Sequence, residues 1–559
     1  MALDHSGARL FVTLATLDET VVIDSQSRKI IHHLSSAALA GPHEGATPNA
    51  LALSSDERLL FVAEADSNSL AVFDITRMRE TQAHQQPIGR IPTDWYPTAV
   101  LADTERLVTL CAKGHGSAAN LNGPHPDHAI QDRSGYTLGQ LNGTLLSFPP
   151  VSRLTRKQLS DFTRRVSSAN RWRIARQRRR YPPFKHVVYI IKENRTYDQV
   201  FGDVAEGDGD SDLLFFGDDC TPNHRALAKR FGLFDRFFTN AEVSSQGHLW
   251  STAGYVTDYS EKTIPSLYAD KRAEIDEGET DEPASGFLWQ AAAKSNITFR
   301  DYGEWVNPPT AGKDMSPARP DLEPHICAAY PPFDMHIPDQ QRADAWIAEL
   351  QAFERKREMP QLEIMHLPGD HTAGGKPEMP TPRACMADND LALGRIIEAL
   401  SHSRFWKDTV VFVVEDDAQD GPDHIDSHRS ALLTISPYNR SGTVSRFVNT
   451  TDVLAAIEDI LGLRSLSQFD YFSRSLADNF SAKPDLRPYT ALKPTHSLSE
   501  KNPPTGPGST QSDSFDLTKP DKIDDTTFNQ VLWAMLKGEK TPMPQPRHTS
   551  ATHLVRVTE

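Results

Sequence analysis

The sequence has fewer basic than acidic residues, no apolar run of membrane-spanning length and only four cysteines. Its 59 Lys and Arg residues are outnumbered by 75 Asp and Glu residues, which gives a formal net charge of −16. This excess of negative charge argues against nucleic acid as the main partner and is compatible with acidic side chains gathered around cations. No apolar run reaches the roughly 18 residues of a membrane-spanning helix, so no transmembrane segment is expected. The first residues, MALDHSGARLFVT, show no signal-peptide pattern.

Cysteine is limited to four positions, Cys111, Cys220, Cys327 and Cys385. None of them forms a C-x-x-C pair, so a zinc site built from thiolates is not expected. Two disulfides and four free thiols are both compatible with this count.

The first part of the chain repeats itself. Residues 2–24 (ALDHSGARLFVTLATLDETVVID) and 52–74 (ALSSDERLLFVAEADSNSLAVFD) superimpose at an offset of 50, and residues 99–114 form a weaker third copy. Short β-rich runs separated by Asp, Ser and Asn turns, at a period near 50, are typical of propeller blades. The spacing resembles the YVTN-type repeat of bacterial β-propellers. Because only about three blades fit before residue 150 and propellers have about four to eight, we predict a partial propeller at 1–150.

Three further regions follow. Residues 151–183 are basic and predict a linker helix, although the same charge would also suit a patch that attracts phosphate or touches a membrane. Residues 184–480 alternate continuous apolar strands with helical segments, which predicts an α/β domain with a largely parallel sheet covered on both faces. Residues 481–559 are rich in Pro, Ser, Thr and Asp and predict a C-terminal wrap with one helix, TFNQVLWAMLKG.

Acidic clusters follow two of the predicted buried strands. The strand VVYIIK is followed by Glu193 and Asn194, and the strand TVVFVVE is followed by Asp416 and Asp417. Ligands of open α/β sheets bind outside the carboxyl ends of the strands. Burying adjacent carboxylates without partners is unfavourable, and a hard divalent cation relieves that repulsion. The pattern therefore predicts a cation site, with further candidate ligands at Asp423, His424 and His428, and at Asp370 and His371 in MHLPGDHTAGG.

A serine-containing turn supplies a candidate nucleophile. In NAEVSSQGHLW, Ser244 and Ser245 are followed closely by Gly247 and His248. Coordination of a serine hydroxyl to a metal lowers its pKa and makes it nucleophilic. The segment is not the G-x-S-x-G elbow of α/β-hydrolases, and a plain serine-rich turn is the alternative.

The motif IIKENRTYDQVFGD resembles the Glu-Asn-Arg-(Ser/Thr)-(Phe/Tyr)-Asp signature of the bacterial phosphoesterase family. That family includes phospholipases C and acid phosphatases and lies within the alkaline phosphatase superfamily. The likeness extends through NAEVSSQGHLWSTAGYVTDY, LPGDHTAGGKPEMPTPRACMADNDLALGRIIEAL and TVVFVVEDDAQDGPDHIDSHRSALLTISPYNR to the tail DKIDDTTFNQVLWAMLKGE. The most similar subgroup carries an N-terminal YVTN propeller. The resemblance implies an alkaline-phosphatase-like α/β sandwich with a central, mostly parallel sheet, preceded by the partial propeller.

The resemblance also implies a reaction and its residues. It implies metal-dependent hydrolysis of a phosphoester small molecule or a phospholipid head group, through a phosphoserine on Ser244, with Ser245 as the runner-up. One or two divalent ions (Zn, Ca, Mn or Mg) are expected. The implied metal ligands are Glu193, Asn194, Ser244, Asp416 and Asp417, with Asp370, His371, Asp423, His424 and His428 in the place of second-site ligands. Arg195 is an expected donor to the phosphoryl oxygens, unless it pairs with Asp198, and His248 or His428 is the expected acid/base.

Two departures and two alternatives accompany this hypothesis. The propeller is short, and Gln246 stands where an acidic residue is common in the subgroup. A catalytically inactive binding or scaffold protein that uses the propeller-like region is the competing hypothesis. A sulfatase on the same fold is disfavoured because the sequence has no C-x-P-x-R motif. The resemblance implies export to the periplasm or the exterior, although no signal peptide is visible.

Overall fold

The computed structural model describes residues 1–78, 84–119, 137–173, 179–268, 280–309, 315–418, 421–517 and 523–542. Its strands are β1 (Ala2–Leu3), β2 (Arg9–Leu14), β3 (Glu19–Asp24), β4 (Lys29–Ser35), β5 (Pro48–Leu53), β6 (Leu59–Glu64), β7 (Ser69–Asp74), β8 (Gly89–Pro92), β9 (Trp95–Ala102), β10 (Leu107–Gly114), β11 (Thr144–Phe148), β12 (His186–Lys192), β13 (Leu233–Phe234), β14 (Phe237–Phe238), β15 (Phe299–Tyr302), β16 (Val306–Asn307), β17 (Ser316–Pro317), β18 (Leu362–His366), β19 (Thr409–Glu415), β20 (Arg429–Ser430), β21 (Leu432–Ile435), β22 (Thr443–Val444) and β23 (Val448–Asn449). Its α-helices are α1 (Thr137–Gln140), α2 (Arg156–Ala169), α3 (Tyr197–Phe201), α4 (Pro222–Phe231), α5 (Ser244–Ala253), α6 (Asp258–Leu267), α7 (Leu288–Lys294), α8 (Asp339–Lys356), α9 (Pro382–His402), α10 (Thr450–Leu461), α11 (Gln468–Tyr471), α12 (Ser509–Asp513) and α13 (Asp525–Lys537).

The N-terminal region consists of three antiparallel sheets. The strand orders are β1-β2-β3-β4, β5-β6-β7-β8 and β11-β10-β9. Apolar side chains such as Phe11 and Val62 form one buried cluster, and Phe61 and Leu107 belong to the next. The three sheets occupy the three sequence repeats. The propeller interpretation and the proposed domain boundaries remain predictions.

The central sheet has the strand order β15-β18-β12-β19-β21. Strands β15, β18, β12 and β19 run parallel, and β21 pairs antiparallel with β19. The predicted α/β fold with a mostly parallel sheet is therefore confirmed. Because β12 pairs with both β18 and β19, the carboxyl ends of three parallel strands meet at one edge of the sheet.

Both faces of the central sheet are buried. Along β12, Val188 and Ile190 face one hydrophobic core, whereas Val187, Tyr189 and Ile191 face the other. Helices α4, α8, α9 and α13 contribute to the first core, and α5, α7 and α10 contribute to the second. This explains why the strands read as continuous apolar runs instead of alternating patterns.

The linker and the C-terminal segment both pack on the rest of the chain. Helix α2 lies within the basic segment, and its Leu159 packs against Gly89 of β8. In the C-terminal segment, Tyr489 and Trp533 are buried in the first core. The four cysteines are buried free thiols. Within the described ranges, no helix is long and apolar enough to cross a membrane.

Candidate active site

Strand β12 delivers the first two polar groups of the site. The strand ends at Lys192, and the next residues, Glu193 and Asn194, are completely buried. Asn194 has a φ of +66°, in the left-handed region that asparagine tolerates better than most residues. Lys192 lies 2.7 Å from Asp370 Oδ2 and 2.9 Å from Glu415 Oε1. Asp370 and Glu415 thus neutralise the buried lysine next to the site.

Ser244 lies at the first residue of helix α5, directly opposite these strand ends. Its Oγ is 2.6 Å from Asp417 Oδ2 and 2.9 Å from Asn194 Oδ1. Asn194 and Asp417, which lie 50 and 173 positions from Ser244 in the sequence, thus both contact its hydroxyl. The N-terminus of α5 also places the positive end of a helix dipole beside this oxygen, which favours negative charge there.

Close packing sets the distance between α5 and the end of β19. A Cβ atom added to Gly247 would lie 2.8 Å from the backbone carbon and oxygen of Asp416. Only glycine leaves room for this approach, because side-chain carbons do not come so close to backbone atoms. Gly247 therefore lets the helix bring Ser244 up to Asp417.

Two histidines and a second glutamate line the same edge of the sheet. His366, the last residue of β18, has Nε2 2.8 Å from Glu193 Oε1. His248, one turn beyond Ser244, has Nδ1 2.9 Å from Glu304 Oε1. The other ring nitrogen of His248 lies 3.5 Å from Glu193 Oε1 and 3.7 Å from Asp416 Oδ2. Glu304 therefore orients an imidazole whose Nε2 faces the acidic strand ends.

The pKa values of Glu193 and His248 are both shifted by their neighbours. Burial raises the pKa of Glu193, but hydrogen bonds with His248 and His366 outweigh it and hold that pKa well below its usual range. Burial lowers the pKa of His248, but the Glu304 carboxylate and the hydrogen bond to Glu193 outweigh it, so the pKa of His248 lies well above its usual value. Glu193 is therefore ionised over the whole physiological range.

The donor set fits a divalent cation. Glu193, Asn194, Ser244, Asp416 and Asp417 offer carboxylate, amide and hydroxyl oxygens, which are the ligands of hard divalent ions. Glu193 Oε2 is buried and has no hydrogen-bond partner among the described residues. Glu193, His248 and His366 also bring one ligand atom each to within 4.8 Å of one another. Imidazole ligands of this kind suit zinc.

The other predicted ligands at the end of β18, Asp370 and His371, have partners other than Ser244. Asp370 pairs with Lys192 through its side chain, and its Oδ1 accepts a hydrogen bond from the Glu193 backbone N–H at 3.2 Å. His371 packs against Phe528, with ring centroids 5.0 Å apart. Arg195 donates hydrogen bonds to the carbonyl oxygens of Asp370 and His371 at 2.8 and 2.7 Å. The side chains of Asp370 and Arg195 thus have structural partners that hold this turn.

Asp423 and His424 belong to a second polar cluster. His424 Nδ1 lies 2.6 Å from Asp198 Oδ2, and Arg429 lies 2.8 Å from Asp198 and 3.0 Å from Asp423. Asp198 therefore pairs with Arg429 and not with Arg195. Arg429 and His424 are the basic partners of the two carboxylates, and Asp198, Asp423 and His424 also bring one ligand atom each to within 4.8 Å of one another, so their role as second-site ligands stays a prediction. His428 lies 3.2 Å from Asp426 Oδ1, near this cluster in the chain.

Sequence reasoning missed His366 and Glu304. His366 ends the strand LEIMH, immediately before the segment that drew attention to Asp370 and His371. Glu304 follows strand β15 by two residues, in RDYGEW. The sequence signal for both residues was their position at or just after the end of a strand. Only the strand order β15-β18-β12 shows that the ends of β15 and β18 lie on the same side of the sheet as Glu193.

Comparison with known proteins bears on these residues. Residues 206–464 match the model of the Phosphoesterase family. The match covers somewhat less than half of the 559 residues and is a likeness to that family. The phosphoesterase match contains Ser244, His248, Asp416 and Asp417, whereas Glu193 and Asn194 precede it. No curated protein matches the chain.

Three of the solved structures that match this chain illustrate similarity at low sequence identity. An alkaline phosphatase superfamily protein from Vibrio parahaemolyticus is 14% identical, with 53% of this chain and 70% of that chain covered and a TM-score of 0.34. A Bacteroides thetaiotaomicron protein described in connection with the metabolism of multiple glycosaminoglycans is 14% identical, with 55% and 78% covered and a TM-score of 0.37. The hydrazine synthase of Kuenenia stuttgartiensis is 20% identical, with 21% of this chain and only 29% of that chain covered and a TM-score of 0.17.

Proposed function

We propose that this protein is a divalent-metal-dependent phosphoester hydrolase in which Ser244 is the nucleophile. The observation that carries the proposal is the convergence of Ser244 Oγ with Asp417 and Asn194 at 2.6 and 2.9 Å, at the N-terminus of helix α5. The phosphoesterase-family match over residues 206–464 supports phosphoester hydrolysis in general terms. Monoester and phospholipase C-like diester substrates both remain within the proposal.

The residues that would hold the cation are Glu193, Asn194, Ser244, Asp416 and Asp417. A bound divalent ion would lower the pKa of the serine hydroxyl and offset charge on the phosphoryl oxygens. Glu193 is kept ionised by its two imidazole neighbours, so it is ready to bind a cation. We propose one ion at this set, which leaves His248 free for proton transfer.

The protein groups can be assigned to the two half-reactions. Asp417 receives the proton of Ser244 as Oγ forms its bond to phosphorus, and the bond from phosphorus to the leaving-group oxygen breaks in line. The product of this step is a phosphoserine. A water molecule then attacks phosphorus, the bond to Ser244 Oγ breaks, and the serine recovers its proton. The N-terminus of α5 stabilises the charge on the phosphoryl oxygens.

His248 is the proposed acid/base of these steps. Its imidazole is oriented by Glu304 and lies one helical turn from Ser244. In the first step it gives a proton to the leaving-group oxygen, and in the second it takes one from the attacking water. His428, the other sequence candidate, is paired with Asp426.

Replacement of Ser244 tests the nucleophile. We expect Ser244→Ala to lower kcat at least about a thousandfold, measured on p-nitrophenyl phosphate and on a choline phosphodiester with Zn²⁺, Ca²⁺, Mn²⁺ and Mg²⁺ in turn. Ser245→Ala is the matched control, because Ser245 lies next in the helix and its Oγ is 3.4 Å from the Tyr268 hydroxyl. Unchanged hydrolysis in Ser244→Ala would exclude this mechanism. A wild-type protein that binds no ion and cleaves neither ester would be a binding protein instead.

A further inference from the structure

A lysine from the N-terminal sheets reaches the segment that carries Ser244. Lys113 belongs to β10, far from residues 206–464 in sequence. Its Nζ lies 2.9 and 3.2 Å from the two carboxylate oxygens of Glu242 and 2.9 Å from Glu261 Oε2. Glu242 precedes Ser244 by two residues, and Glu261 lies on α6. One ammonium group thus joins the N-terminal region to both sides of the nucleophile turn.

Gln246 closes a ring of hydrogen bonds around this turn. The backbone N–H of Glu242 donates to Gln246 Oε1 at 3.0 Å, and Gln246 Nε2 donates to Glu261 Oε2 at 3.0 Å. Gln246 is on the first turn of α5, two residues after Ser244. The ring therefore holds the residues on either side of Ser244.

The charged side chains of the ring are largely buried, so the electrostatic interactions between them are strong. The side chains of Lys113, Glu242 and Glu261 are 19%, 6% and 4% exposed. Two carboxylates at this depth repel each other unless a cation lies between them. The ammonium group also lies 5.5 Å from the centre of the Tyr96 ring, whose hydroxyl donates to Asp258 on α6. Removal of Lys113 would leave the two glutamates to separate, and the first turn of α5 would move with them.

We propose that Lys113 is a positioning residue for Ser244, supplied to the phosphoesterase domain by the N-terminal sheets. The inference rests on the proposed function of Ser244. Lys113 acts through Glu242, Glu261 and Gln246, which set the first turn of α5 against Asp417 and Asn194. The N-terminal region is on this account part of the catalytic unit and not an independent binding module.

Substitutions at Lys113 in the full chain test this role. We expect Lys113→Met to lower kcat about 10- to 100-fold with little change in KM, because a displacement of about 1 Å at a nucleophile has effects of this size. Lys113→Arg keeps the charge and should recover most of kcat. Arg90→Met is the control, because Arg90 forms an ion pair with Glu64 at 2.7 Å within the N-terminal sheets that is at least as buried as that of Lys113. We expect it to lower the melting temperature while kcat stays within about twofold.

A charge-matched double variant covers the case in which Lys113→Met does not fold. Lys113→Met combined with Glu261→Gln removes one cation and one carboxylate, so the net charge of the ring is unchanged. The repulsion between the two carboxylates is then gone, so the protein should fold, and because the ammonium bridge from the N-terminal sheets to Glu242 is also lost, it should still show a lowered kcat. A kcat within about twofold of wild type in a folded Lys113→Met or double variant would overturn the proposal, as would a drop in Arg90→Met equal to that in Lys113→Met. If Ser244→Ala is fully active, the proposed function fails on its own and independently of these variants.

Discussion

Two imidazoles set the charge of Glu193. His366 and His248 approach the same carboxylate oxygen at 2.8 and 3.5 Å, while the other oxygen is buried with no hydrogen-bond partner among the described residues. A buried carboxylate oxygen left in this state is unfavourable by about 1–3 kcal/mol or more. A cation at that oxygen would remove this penalty, so Glu193 should matter more for ion binding than for the stability of the free protein.

Glu193→Gln should therefore reduce the stabilisation of the folded protein by added metal. We expect Mn²⁺ or Mg²⁺ at about 100 times its dissociation constant to stabilise the wild-type protein by about 2.7 kcal/mol. The variant should gain much less, and its metal content after dialysis should be lower. Thermal unfolding with and without metal, together with elemental analysis, measures both.

Glu363→Gln is the matched control for this experiment. Glu363 is a buried glutamate of the same sheet, but it lies on the second residue of β18, away from the carboxyl end. Its substitution should leave the metal-dependent gain unchanged. A Glu193→Gln protein that gains as much from metal as the control does would show that Glu193 is not a ligand.

The pairing of helix α5 with the end of β19 is the element-level feature of the site. The helix supplies Ser244 and His248 on successive turns, and Gly247 between them lies against the backbone of Asp416. The apolar residues Leu249, Trp250 and Ala253 anchor the rest of the helix in the second core. The helix is thus held at one end by packing and at the other by close backbone contact.

Gly247→Ala should disable the site while the fold is kept. The added methyl group would lie 2.8 Å from the Asp416 backbone, so helix and strand end must separate. We expect kcat to fall about 100-fold, with near-native circular dichroism. Gly217→Ala is a fair control, since the nearest atom to its added Cβ is 3.4 Å away. Full activity in Gly247→Ala would mean that the nucleophile tolerates displacement of α5.

The pH dependence of whole-chain stability should depend in part on Glu363. Burial raises the pKa of Glu363 to about 8, against the lowering effect of the hydrogen bond from Trp346 Nε1 at 2.8 Å. The folded protein therefore keeps a proton here that the unfolded chain releases near its ordinary value of 4.5. The contribution of Glu363 to stability is complete below pH 4.5 and is lost as the pH rises through 8.

Glu363→Gln should remove this loss. We expect the free energy of unfolding of the wild type, relative to the variant, to fall by about 3 kcal/mol between pH 5 and pH 8. Urea unfolding at the two pH values measures the difference. A constant difference across this range would show that Glu363 does not titrate within it.

At the scale of the whole molecule, the N-terminal sheets and the α/β region are joined by polar contacts. Besides Lys113, the Thr47 hydroxyl lies 2.8 Å from the Tyr255 hydroxyl, and Asn49 Nδ2 lies 2.9 Å from Asp258 Oδ1. Gln468 Nε2 donates to Asp18 Oδ2 at 2.7 Å. These contacts converge on the segments that follow and support helix α5. Sequence repeats alone gave no indication of this interface, because polar pairs distant in sequence leave no local pattern.

The pattern of apolar residues in the strands and the positions of the acidic residues after them predicted the central sheet and the polar cluster at its edge. The continuous apolar runs of β12 and β19 predicted a parallel sheet buried on both faces, since such strands need apolar residues at every position. The acidic residues after these strands predicted a cluster at the carboxyl edge, and Glu193, Asn194, Asp416 and Asp417 do lie there. Their role as metal ligands stays a prediction.

The sequence by itself determined the fold class and the edge of the sheet at which polar groups gather, because both follow from local patterns of burial. Only the tertiary structure decided which of those groups meet. It placed His366 beside Glu193 and Glu304 beside His248, paired Asp423 with Arg429 and His424 with Asp198, and brought Lys113 to the nucleophile turn. The reason is physical: strand order, helix approach and ion pairing across domains depend on packing between distant segments, which no local stretch of sequence encodes.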